Sequence, residues 1–139
     1  MSTNATVVAI VDDEESVRKA LSRLVRSAGF NAETFASGAD FLRSVEQRPP
    51  HCAVLDLRMP HIGGLDVLRA LKQAAAQVPV VVITGDDAPE SRAHAIEHGA
   101  KAYLRKPVDD AILLDAIATA VGSNAAAGVT DPPFKDLSL

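Results

Sequence analysis

Residues 7–13 read Val7-Val8-Ala9-Ile10-Val11-Asp12-Asp13, five apolar residues closed by two carboxylates. A short apolar run without helical spacing predicts a strand covered on both faces. The aspartates then stand at its carboxyl end, the edge of an α/β sheet where ligands collect. The same arrangement recurs at Cys52-Ala53-Val54-Leu55, which closes on Asp56. Two further runs end in other polar chemistry. Pro79-Val80-Val81-Val82-Ile83 ends in the hydroxyl of Thr84, and Ala102-Tyr103-Leu104-Arg105 ends in the ammonium of Lys106. Converging carboxylates repel one another, so the cluster calls for a cation, and an all-oxygen donor set suits a hard ion such as Mg²⁺. Acids, a hydroxyl and a base at four strand ends describe a phosphoryl-handling site.

Helical patterns fill the gaps between these runs. Val17, Leu21, Leu24, Val25 and Ala28 recur at helical spacing, and Gly29 offers a stop. Asn31-Ala32-Glu33-Thr34-Phe35 alternates like a half-exposed edge strand. Ser37 reads as an N-cap for a helix carrying Phe41, Leu42 and Val45, which ends before Pro49-Pro50. The loop from Leu57 to Gly63 leads to a third helix with Leu65, Leu68 and Leu71. A fourth covers Pro89 to His98 and stops at Gly99, and a fifth carries Ile112, Leu113, Ala116, Ile117, Ala120 and Val121.

Strand alternating with helix implies right-handed crossovers and a doubly wound parallel α/β sheet of five strands. The flavodoxin-like order 2-1-3-4-5 suits five strands and sets strands one and three side by side at the switch point. Asp12, Asp13 and Asp56 then face one crevice. The expected domain spans 1–121. Residues 122–139 are rich in small and helix-breaking types, which predicts a linker or flexible tail. Phe134, Leu137 and Leu139 could dock back on the domain or open a further one.

Composition narrows the function. At 139 residues and 47% hydrophobic content the chain can bury one ordinary core, built from aliphatic residues because aromatics are only 4%. No apolar run approaches the ~20 residues that span a bilayer. Met1-Ser2-Thr3-Asn4 lacks the basic and apolar regions of a signal peptide. The single cysteine, Cys52, excludes an internal disulfide and fits a reducing cytoplasm. A net charge of −4 makes direct nucleic-acid binding by this chain a poor expectation.

From about Thr6 to Val121 the chain resembles the receiver domain of two-component response regulators, the CheY-like family. The motifs that carry the resemblance are Val11-Asp12-Asp13-Glu14, Asp56-Leu57-Arg58-Met59-Pro60-His61-Ile62-Gly63-Gly64-Leu65, Ile83-Thr84-Gly85 and Tyr103-Leu104-Arg105-Lys106-Pro107. The resemblance implies that Asp56 accepts a phosphoryl group from a histidine kinase or phosphotransfer protein. It implies Mg²⁺ held by Asp13, Asp56 and the backbone carbonyl of Arg58, with Asp12 acting through water. Lys106 and Thr84 would then contact the phosphoryl oxygens, and Lys106-Pro107 would be a cis peptide. Tyr103 occupies the family's switch position, where movement of Thr84 lets the ring turn inward. Arg58 and Asp86, each two residues beyond a catalytic position, match places that tune dephosphorylation.

Output stays open between two readings. One is a stand-alone receiver that relays phosphate or acts by contact. The other is the receiver part of a DNA-binding transcription regulator whose helix-turn-helix domain is missing here. Helix four, strand five and helix five form the expected readout surface, which admits a phosphorylation-dependent homodimer, and the first helix is expected to meet the kinase. A Mg²⁺-dependent phosphatase using Asp56 as nucleophile would need a cap, and no segment is long enough to supply one. His94-Ala95-Ile96-Glu97-His98 matches an inverted zinc-peptidase pattern, yet lacks a third ligand and reads as a solvated helix face.

Overall fold

A computed structural model describes residues 6–85 and 89–125. Five strands, β1 (Val7–Val11), β2 (Asn31–Phe35), β3 (Cys52–Asp56), β4 (Val80–Thr84) and β5 (Ala102–Arg105), alternate with five helices. The helices are α1 (Glu15–Ser27), α2 (Gly38–Gln47), α3 (Gly64–Gln73), α4 (Pro89–Glu97) and α5 (Asp110–Ala125). All strand pairs are parallel and the order is β2-β1-β3-β4-β5. This is the doubly wound, flavodoxin-like architecture.

The central strands are continuous apolar runs because both their faces are covered. Ala9, Val11, Leu55 and Val82 pack on one face with Phe41, Val67 and Leu68. Val8, Ile10, Val54 and Val81 pack on the other with Val25, Leu113 and Ile117. β2 has a neighbour on one side only, and its residues are half-buried or exposed. Ser37 caps α2 by accepting from the Asp40 N–H at 3.1 Å, and α1 stops where Gly29 takes a φ of 95°, which costs glycine nothing.

Two boundaries differ from the sequence reading. β4 begins at Val80, not Pro79: a proline has no N–H to donate, although its carbonyl still accepts from Ala53 at 3.0 Å. α5 runs on to Ala125, past Val121 where the apolar pattern ends. Extending a formed helix adds one hydrogen bond per residue fixed, so the backbone continues past the end of the apolar pattern. Among the described residues no helix is long and apolar enough to cross a membrane.

The register places the site. Val11 pairs with Leu55, Asp56 with Ile83, and Thr84 with Arg105. The polar residues at or just beyond β1, β3, β4 and β5 therefore share one edge of the sheet.

Candidate functional site

Asp12 is fully buried, and every polar atom it owns is engaged. Its N–H donates to the Phe35 carbonyl at 3.1 Å, and its own carbonyl accepts from Arg18 Nη1 at 2.8 Å. Its Oδ1 accepts the Glu14 N–H at 2.9 Å, and its Oδ2 accepts from Lys106 Nζ at 3.3 Å. The Asp12 carboxylate is thus held in one orientation. Its neighbour Asp13 is exposed.

Asp56 ends β3 with only 3% of its surface exposed. Its Oδ1 accepts the Arg58 N–H at 3.2 Å, and Lys106 Nζ lies 3.7 Å from its Oδ2. One ligand oxygen from each of Asp12, Asp13 and Asp56 lies within 4.8 Å of the others. Among the described residues this is the single grouping of three or more His, Cys, Asp or Glu side chains with that geometry.

Burial pushes the Asp56 carboxyl up to about 6, and repulsion from Asp12 and Asp13 adds to it against the Arg58 N–H and Lys106. One lysine therefore does not neutralise the cluster. Burial pulls the Lys106 ammonium down, but Asp56, Asp12 and Glu14 outweigh it and hold the group above its usual range. The closest of these acids is Asp12, and Glu14 Oε1 lies 3.8 Å away. An excess of hard oxygen donors over positive charge fits a divalent cation such as Mg²⁺.

Thr84 is fully buried at the end of β4, and its carbonyl accepts the Lys106 N–H at 2.8 Å. The hydroxyl and ammonium residues are thereby tied together across neighbouring strands. The Lys106–Pro107 peptide is cis. Tyr103 pairs with Val82 and packs, half-buried, against the α2–α3 face of the core. Arg58 is exposed beside Asp56. Asp86 lies outside the described residues.

Gly64 sets how closely α3 approaches this edge. A Cβ there would lie 2.6 Å from the Leu57 Cα and 2.8 Å from the Asp56 carbonyl oxygen. Only glycine lets the first turn of α3 sit against the segment that aims Asp56.

Other singled-out residues have structural partners. The His94 carbonyl lies 2.8 Å from His98 Nδ1; a carbonyl can only accept, so that ring nitrogen is the donor. His51, in the loop just before β3, accepts the Val7 N–H on its Nδ1 at 3.0 Å and caps the start of β1. Cys52 is fully buried, and burial pushes its thiol up to about 12. It packs as a small hydrophobe. Sequence reasoning missed Arg18, Glu14 and Gly64 as supports of the acidic cluster. Glu14 and Gly64 fall inside the quoted motifs, whereas Arg18 carries no signal of its contact with a main-chain carbonyl.

Comparison with known proteins agrees with this geometry. The sequence profile of the response regulator receiver domain family matches residues 8–118. The response regulator protein TodT of Pseudomonas putida is 41% identical over 121 residues, which cover 87% of this chain and 53% of TodT. The transcriptional regulatory protein FixJ of Azorhizobium caulinodans is 35% identical over 121 residues, covering 87% of this chain and 57% of FixJ. The chain thus spans about half the length of these curated relatives. The crystal structure of FixJ-N superposes with a TM-score of 0.80 at 34% identity, covering 88% of this chain and 96% of that one.

Proposed function

The chain belongs to the response regulator receiver domain family, and from that premise we propose that Asp56 is the acceptor of a phosphoryl group donated by a histidine kinase or phosphotransfer protein. One observation carries this assignment. Of the two buried carboxylates in the three-aspartate grouping, Asp12 has both oxygens hydrogen-bonded, whereas Asp56 keeps an Oδ2 that accepts no hydrogen bond among the described residues and lies 3.7 Å from Lys106 Nζ.

In the transfer, an Asp56 carboxylate oxygen forms a bond to phosphorus as the P–N bond of the donor phosphohistidine breaks. The electron pair of that bond leaves on the imidazole. The transition state is loose, so alignment and positive charge matter more than covalent assistance. Lys106 supplies a mobile cation that moves from Asp12 onto a phosphoryl oxygen, and the Thr84 hydroxyl donates to another. Asp13, Asp56 and the Arg58 carbonyl would hold Mg²⁺, with Asp12 acting through water. When bound, the ion offsets the negative charge shared by the carboxylates and the incoming phosphoryl group. The domain promotes its own phosphorylation and dephosphorylation with these residues. Arg58 and Asp86 tune the second step by screening the acyl phosphate from water.

The switch follows from the same charges. A phosphoryl group on Asp56 draws Thr84 and Lys106 toward it, which displaces the ends of β4 and β5 and lets Tyr103 turn inward. The readout surface is α4, β5 and α5, and the exposed apolar residues Ile96 and Ile112 support that choice because they lie on α4 and α5. The surface serves a protein contact or a phosphorylation-dependent homodimer, while α1 meets the kinase. A relative named as a DNA-binding transcriptional regulator, 34% identical over 110 residues, favours a DNA-binding output supplied by another segment of a cytoplasmic regulator. The test is phosphorylation by acetyl phosphate with Mg²⁺, read by intact mass. One phosphoryl group is expected on the native protein and none on Asp56→Ala; equal labelling of both would refute the assignment.

A further inference from the structure

A second cleft lies between α1 and β2 and reaches the acidic edge only through Arg18, whose Nη1 donates to the Asp12 carbonyl. A cleft of about 380 Å³ is lined by Arg18, Lys19, Ser22, Arg23 and Arg26 from α1, with Ala32 and Thr34 from β2 opposite and Glu15 at one end. Four basic side chains thus face one acid. Glu15 pairs with Lys19 at 3.3 Å, whereas Arg23 and Arg26 make no ion pair among the described residues. A cluster of cations in a concave wall focuses positive potential and attracts an anion.

The decisive feature is Ser22. It is 7% exposed and lines the cleft, yet its hydroxyl has no hydrogen-bond partner among the described residues. A buried hydroxyl left unsatisfied costs free energy, so such a group is expected to have a use. Around it stand guanidinium groups whose planar donor forks match the oxygens of a phosphate. Arg18 is already oriented, because its Nη1 is held by the Asp12 carbonyl at 2.8 Å. A flat acidic protein surface could reach the outer arginines but not a hydroxyl on the floor of the cleft.

We propose that the α1–β2 cleft binds a small, soluble anion carrying phosphate groups, with Ser22 donating from the floor and Arg23 and Arg26 clamping from the rim. This site is separate from the phosphoacceptor and works without Mg²⁺, so its test is independent of the role of Asp56.

Inorganic pyrophosphate is the probe. It is titrated into the metal-free, ¹⁵N-labelled chain, against sodium chloride at matched ionic strength. Saturable amide shifts are expected at Ser22, Arg23, Arg26 and Thr34 with pyrophosphate only. The double variant Arg23→Gln/Arg26→Gln should weaken the apparent affinity by about tenfold or more, because two charge-assisted interactions are lost. Ser22→Ala should weaken it several-fold with unchanged circular dichroism. Shifts that follow ionic strength without saturating would overturn the proposal. So would saturable shifts centred on Lys106, or binding that neither variant alters.

Discussion

Replacing Asp56 by asparagine should make the metal-free protein more stable, although it removes the residue on which the proposed function depends. The native carboxyl is held near 6 instead of 3.8, chiefly by burial and by Asp12. A group whose affinity for protons is raised by folding opposes folding once it ionises. The penalty is absent below about pH 4, grows as pH rises from about 4 to about 6, and is complete at neutral pH. At ~1.4 kcal/mol for each tenfold change in proton affinity, it comes to about 3 kcal/mol. Asparagine keeps the shape and can still accept the Arg58 N–H, and the attraction of Lys106 is already contained in the net shift. Discounted for solvent screening at the open edge of the site, the expected gain is about 2 kcal/mol at pH 7.5. Urea unfolding in EDTA reads it directly: with a slope of about 1–3 kcal/mol/M, the midpoint should rise by roughly 1–2 M. The advantage should vanish at pH 4, and Mg²⁺ should narrow it at pH 7.5 by stabilising the native protein selectively. An Asp56→Asn variant no more stable than the parent at pH 7.5 in EDTA would refute this electrostatic account.

Three other outcomes can be measured. Gly64→Ala should cost about 1–3 kcal/mol, because its Cβ meets backbone atoms of Leu57 and Asp56, and it should slow phosphorylation by acetyl phosphate; unchanged stability would show that α3 can step back freely. Arg58→Ala or Asp86→Ala should shorten the lifetime of the phosphorylated form in a dephosphorylation time course, and decay unaltered in both would remove the screening role. Beryllofluoride, which stands in for the phosphoryl group, should move backbone NMR signals around Thr84, Tyr103 and α4, and Thr84→Ala should blunt the change. Shifts restricted to α1 and the acidic loop would move the readout surface elsewhere.

The parts of the fold legible in the sequence are those where chemistry alternates sharply along the chain. Val7–Val11 and the run from Pro79 to Ile83 read as strands covered on both faces because two-sided burial demands an unbroken apolar run, and Ser37 read as a cap because its hydroxyl replaces a lost helical partner. The topology followed from the alternation of strand and helix. It brought Asp12, Asp13 and Asp56 to one crevice despite their distance in sequence. What was not legible depends on three-dimensional direction. Nothing in the pair Asp12-Asp13 says which carboxylate turns inward, yet the first is fully buried and the second exposed. The bond from Arg18 to the Asp12 carbonyl requires knowing how α1 leaves its loop. His51 carries no signal that its ring will accept from Val7 across the sheet edge. The end of α5 was missed because backbone hydrogen bonding outlasts the apolar pattern used to find it.

The central claim is that this receiver carries its phosphoryl group on Asp56. Incubation with acetyl phosphate and Mg²⁺, followed by borohydride reduction and peptide mass mapping, tests it most directly, since reduction of an aspartyl phosphate leaves homoserine at the acceptor. The account predicts a single converted residue, Asp56, and none when Mg²⁺ is replaced by EDTA. Conversion at Asp12 or Asp13 with Asp56 intact would contradict it.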